Sequence, residues 1–73
     1  MVDEVQQQFG WLAEHFGKRR LPLEVCASNA GFYLGTTEEN GEPFSRESTQ
    51  YWARREDAER ALTKQDWKQR LKP

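Results

Sequence analysis

The sequence predicts an α+β fold. The expected form is a two-layer domain, α-β-β-β-α(α), in which a three-stranded antiparallel meander packs on helices. Three observations carry this. Val5, Phe9, Leu12 and Phe16 recur at helical spacing. Two segments after residue 20 alternate in polarity, as half-buried strands do. Between the second strand and a third stands Asn40-Gly41, the strongest local hairpin signal, because both residue types tolerate positive φ.

Residues 3–16 read as the first helix. Asp3 and Glu4 suit its positive end, and Gly17 is its expected stop, followed by Lys18, Arg19 and Arg20 at the negative end. Gly10 falls in mid-helix, where it costs about 1 kcal/mol against Ala; a close packing contact would account for it. Residues 21–28 form the first strand, with Leu21, Leu23, Val25 and Ala27 on one side. Asn29-Ala30-Gly31 turns the chain into a second strand at 31–37, where Phe32, Leu34 and Thr36 oppose Tyr33 and Gly35. The third strand runs from Phe44 to Trp52, with Pro43 near its start. Residues 54–62 read as a helix with Ala58, Ala61 and Leu62 on its apolar side. Arg54 stands where a Ser, Thr, Asp or Asn would cap that helix, so the expectation is that it starts elsewhere. Thr63 and Asp66 suggest a new short helix whose buried face is Trp67 and Leu71.

The chain has 73 residues and one cysteine, which points to a single domain, 1–73, with no internal disulfide. A domain this small buries only about 60% of its unfolded surface. Isoleucine is absent, so the expected core rests on Leu and on the nine aromatics, each able to bury about 150–250 Å². No apolar run approaches a membrane span, and no secretory signal is visible, so the expected location is cytoplasmic. The net charge of -1 hides a division. Residues 1–42 carry three basic and seven acidic side chains; residues 43–73 carry eight and five.

The helix–three strands–helix order resembles that of double-stranded RNA-binding domains, which grip phosphates with the basic start of their last helix. The matching stretch here is Arg54-Arg55-Glu56-Asp57. Residues 31–62, with Gly31-Phe32-Tyr33-Leu34, a hairpin, Tyr51-Trp52 and Arg55-Glu56-Asp57-Ala58-Glu59, look like the arm-type DNA-binding module of phage integrases. Across residues 31–70, Gly-Phe-Tyr-Leu-Gly-Thr, Ser-Arg-Glu-Ser, Tyr-Trp, Glu-Asp-Ala-Glu-Arg-Ala-Leu and Asp-Trp resemble small bacterial and prophage proteins of no assigned activity. That last resemblance implies a source and no mechanism.

Catalytic groups are few, and the chain is expected not to be an enzyme. Cys26 and His15 are the only nucleophile–base pair, and they fall on different elements. Ser45 and Ser48 have no second His to activate them. Metal-ligand spacing and a Gly-rich phosphate loop are lacking, so no metal or cofactor is expected. The expected function is binding of a protein partner, with self-association as one form of it. The basis is aromatic excess: Tyr33, Trp11 and one of Tyr51 and Trp52 should be exposed, and such residues are enriched at hot spots. The alternative is nucleic-acid binding through the basic 46–72 segment, with Arg46, Arg54, Arg55, Arg60 and Lys64 on phosphates and the aromatics stacking on bases.

Overall fold

The computed structural model describes residues 8–72. It has two helices and one antiparallel sheet of order β1-β2-β3, in the sequence α1 (Trp11–His15), β1 (Glu24–Ser28), β2 (Gly31–Thr37), β3 (Pro43–Arg46) and α2 (Arg55–Lys64). The α+β class and the meander stand as predicted. The described residues contain no helix long and apolar enough to cross a membrane.

The first helix is far shorter than the predicted 3–16. Its predicted start lies outside the described residues. Phe9 is not helical but bridges Pro22, with Leu23 N–H donating to Gln8 O and Gly10 N–H to Leu21 O. These extended backbone pairs hold residues 8–10 against 21–23, so helix geometry begins only at Trp11. Gly10 is therefore the N-cap and not a mid-helix residue. A Cβ there would stand 2.5 Å from the Thr36 methyl and 2.6 Å from Glu47 Oε2, which is the predicted close contact. At the other end the left-handed residue is Lys18, at φ 58, and not Gly17. Gly17 instead leaves room for the Phe44 ring, 2.6 Å from its missing Cβ. Phe16, expected on the buried stripe, is 53% exposed because the five-residue helix turns only Leu12 and Ala13 inward.

The β1–β2 pairing sets Val25 opposite Leu34 and Ala27 opposite Phe32, so these share one face. Ala27 nonetheless stays exposed near the strand end. The β2–β3 hairpin forms at Asn40-Gly41, but only Gly41 takes positive φ, at 88°. Gly41 N–H donates to Glu38 O and Glu38 N–H to Glu42 O. This is the three-residue hairpin loop with a glycine in the left-handed position, accompanied by a register shift between Thr36 and Thr37.

The third strand stops at Arg46, six residues short of its predicted end. Glu47 and Ser48 both direct their N–H groups at Leu34 O, at 2.8 and 3.0 Å, while Leu34 N–H donates to Ser48 Oγ at 3.1 Å. Two residues thus face one, and the chain bulges inward. Pairing resumes only at Trp52, which exchanges both backbone bonds with Phe32. The C-terminal segment then pairs with the bulge: Ser48 bridges Gln69, Thr49 N–H donates to Lys68 O, and Arg70 N–H to Glu47 O.

Helix α2 does begin at Arg55, with Arg54 as an N-cap that makes no side-chain capping bond. The expected relocated start is not found. The predicted helix after Thr63 is also absent: Gln65 adopts the left-handed conformation, at φ 56, and ends α2. Leu71 is accordingly 66% exposed rather than buried, and Trp67 is half-buried.

The core differs in kind from the aromatic one expected. The largest fully buried side chains are Leu34, Glu47, Thr36 and Ser48, three of them polar. Four of the nine aromatics sit under arginines. Arg20 lies 4.1 Å from the Phe9 ring centre, Arg46 5.0 Å from Tyr51, Arg19 5.1 Å from Phe44 and Arg55 5.2 Å from Phe32.

Candidate binding surface

Glu47 organises this region. Its carboxylate has no exposed surface and accepts four bonds. Oε1 takes the Leu12 N–H at 2.8 Å and Gln69 Nε2 at 2.7 Å; Oε2 takes the Ala13 N–H at 3.0 Å and Ser45 Oγ at 2.6 Å. Leu12 and Ala13 are the second and third residues of α1, whose N–H groups a side chain at the N-cap would ordinarily satisfy. Gly10 has no side chain, so a carboxylate from 35 residues away caps the helix. One group thereby ties together α1, the β3 bulge and the C-terminal segment.

Beside this anchor, α1 and β3 enclose a pocket of about 320 Å³ lined by Leu12, Phe16, Gly17, Phe44, Ser45, Arg46 and Arg70. Phe16, one of its lining residues, also belongs to an aromatic cluster with Trp11 and His15 of α1. Trp11 and His15 stack with centroids 4.3 Å apart, and Phe16 stands edge-on to Trp11 at 6.1 Å. All three side chains are exposed. The position of Trp11 off the inward stripe is as predicted. His15 and Phe16 escaped sequence reasoning, although the four-residue spacing of Trp11 and His15 was visible. Phe44 and Arg70 had no local signal at all, because the bulge and the returning C-terminus bring them here.

The residues expected to bind fall into two groups. Tyr33, Tyr51 and Arg46 meet on the sheet face opposite Leu34. Tyr33 is 7% exposed, not an open platform: Tyr51 stands edge-on to it at 5.9 Å, and Arg46 donates to the Tyr51 hydroxyl. Trp52 lies on the other face with Phe32, half-buried. The second group lies on or beside α2. Arg54 pairs with Glu56 at 3.1 Å, Arg55 with Glu59 at 4.0 Å and Arg60 with Asp57 at 3.2 Å. Lys64 is exposed in its last turn and borders a shallow depression with Trp52, Asp57, Arg60, Ala61 and Asp66. Within the predicted basic segment, Arg54, Arg55 and Arg60 are thus each paired with an acid.

Cys26 faces Tyr33 across the β1–β2 pair. Burial, reinforced by the Glu24 carboxylate, pushes the Cys26 thiol above its ordinary value. Burial also raises the Tyr33 hydroxyl, with Cys26 adding to the effect. His15 lies on α1 and Cys26 on β1. Among the described residues, no group of three or more His, Cys, Asp or Glu side chains is placed to hold a metal ion.

Comparison with protein-family models, curated proteins and solved structures finds no match to this chain.

Proposed function

We propose that this domain is a non-enzymatic binding module whose partner is a protein, docked on the α1–β3 surface. The observation that carries the reading is the exposed Trp11–His15–Phe16 cluster, whose Phe16 lines a partly apolar pocket. Aromatic residues with neighbouring arginines are what binding hot spots are made of. The charge around the pocket selects the partner. All three ion pairs among the described residues lie at α2, so none neutralises Arg19, Arg46 or Arg70. A partner with an acidic, apolar segment is the complement, and a second copy of this chain is one form it can take.

The nucleic-acid alternative draws less support. Arg54, Arg55 and Arg60 each face an acid, and Tyr33 offers no open ring for stacking. Catalysis draws little support too, since a raised thiol is a poor nucleophile at neutral pH.

The test compares the wild-type chain with Trp11→Ala/Phe16→Ala and with Arg54→Glu/Arg55→Glu. A protein that copurifies from the native host is purified and titrated against each by calorimetry. The first variant should lose at least tenfold in affinity and the second should bind as the wild type. The reverse order, or salt-dependent binding of DNA or RNA in place of protein, overturns the reading. Sedimentation across a wide concentration range reads self-association directly.

A further inference from the structure

We infer that the pocket between α1 and β3 receives an apolar group bearing a carboxylate. As a protein partner's contribution, this rests on the docking surface proposed above, and it specifies what that partner inserts. The pocket, about 320 Å³, lies at the small end of the range for small-molecule sites, roughly 300–1,000 Å³. Its apolar walls are Leu12, Phe16 and Phe44, and Gly17 contributes no side chain to narrow it.

Two arginines, Arg46 and Arg70, also belong to the lining of this pocket. Neither has a carboxylate within ion-pair distance among the described residues. Among the described residues, the Arg70 guanidinium reaches only the Arg46 carbonyl oxygen, at 3.4 Å. Arg46 donates one amine to the Tyr51 hydroxyl, while its buried Nε has no acceptor among the described residues. Glu47, next to Arg46 in sequence, is already committed to Leu12, Ala13, Ser45 and Gln69. Among the described residues, no carboxylate therefore answers the positive charge at this apolar cavity. A planar carboxylate matches the guanidinium fork in shape and charge, and an apolar body matches the walls. Such a group is either a free carboxylic acid or the C-terminal residue of a peptide.

The experiment is an amide-shift titration of the isotope-labelled full chain with three probes. They are acetyl-Ala-Ala-Leu with a free carboxylate, the same peptide as its C-terminal amide, and 4-methylpentanoate. The free-acid peptide should shift the Leu12, Gly17 and Ser45 amides saturably, with the amidated peptide at least tenfold weaker. Arg70→Met should weaken the acid about tenfold, and Arg70→Lys should recover part of that. Binding of 4-methylpentanoate equal to the peptide acid assigns the site to free acids; tenfold weaker binding assigns it to a peptide terminus. Equal shifts from acid and amide, or none from any probe, overturn the inference. The acid–amide comparison uses only wild-type protein, so it does not depend on a variant folding. The Trp11/Phe16 partner titration reads the docking surface separately.

Discussion

Replacing Glu47 with Gln changes one oxygen to an amide nitrogen inside a site of four donors. Oε1 and Oε2 each receive one α1 backbone N–H, from Leu12 and Ala13 respectively. Whichever way the amide is turned, its NH₂ meets one of those N–H groups. One buried donor is orphaned, at about 1–3 kcal/mol. The bonds that survive fall from charge-assisted to neutral, which costs about 1 kcal/mol more. The expected loss is about 2–4 kcal/mol. Set against about 4–11 kcal/mol for a domain of this length, that is a large fraction. With a urea slope of about 1 kcal/mol/M, the midpoint should fall by about 2–4 M. The assay is urea unfolding followed by tryptophan fluorescence. A midpoint shift below about 0.5 M with an unchanged slope would refute the view that this carboxylate caps α1 and anchors the C-terminal segment.

Two further outcomes are expected. Gly10→Ala should destabilise by about 1–3 kcal/mol, because the new methyl meets Thr36 and Glu47 in a filled site; a rise in melting temperature, as helix propensity alone would suggest, sinks that argument. Stability should decline above about pH 9, because the unfolded thiol loses its proton near its ordinary 9.0 while the folded one, raised by burial, keeps it. Tyr33, also raised, extends the decline to higher pH with the same sign. Urea midpoints from pH 8 to 11 check this, with Cys26→Ala flattening the lower part; a midpoint that rises over that range contradicts it.

Much of the architecture was legible along the chain. Alternation placed β1 and β2, and Asn40-Gly41 placed the hairpin. Strand parity puts Tyr51 and Trp52 on opposite faces, as the structure has them. Exposure was harder. Tyr33 does lie on the face away from Leu34, yet Tyr51 and Arg46 cover it there. Reading residues 44–52 as one strand failed because two N–H groups share the Leu34 carbonyl, and nothing in the residue types of Glu47 and Ser48 announces a bulge. The helical stripe through Phe16 failed for a similar reason, since backbone pairing of residues 8–10 with 21–23 outweighs a weak local preference. The arginines of 46–72 read as a phosphate-binding ridge, but their spacing to Glu56, Asp57 and Glu59 already contained the pairs that answer three of them.

The sequence by itself determined the order of the five elements and the meander, because these follow from local periodicity and from one turn glycine. Only the tertiary structure decided what fills the core and where a ligand can sit. Glu47 reads as one more acid on a strand, and only the return of Gln69 and the approach of Leu12 and Ala13 surround it with donors. Phe44, Phe16 and Arg70 stand 26 to 54 positions apart, pair by pair, yet they line one pocket. The physical reason is the same in both cases. A buried carboxylate and a charged cavity are defined by the partners that surround them, and those partners arrive from distant segments that no local pattern connects.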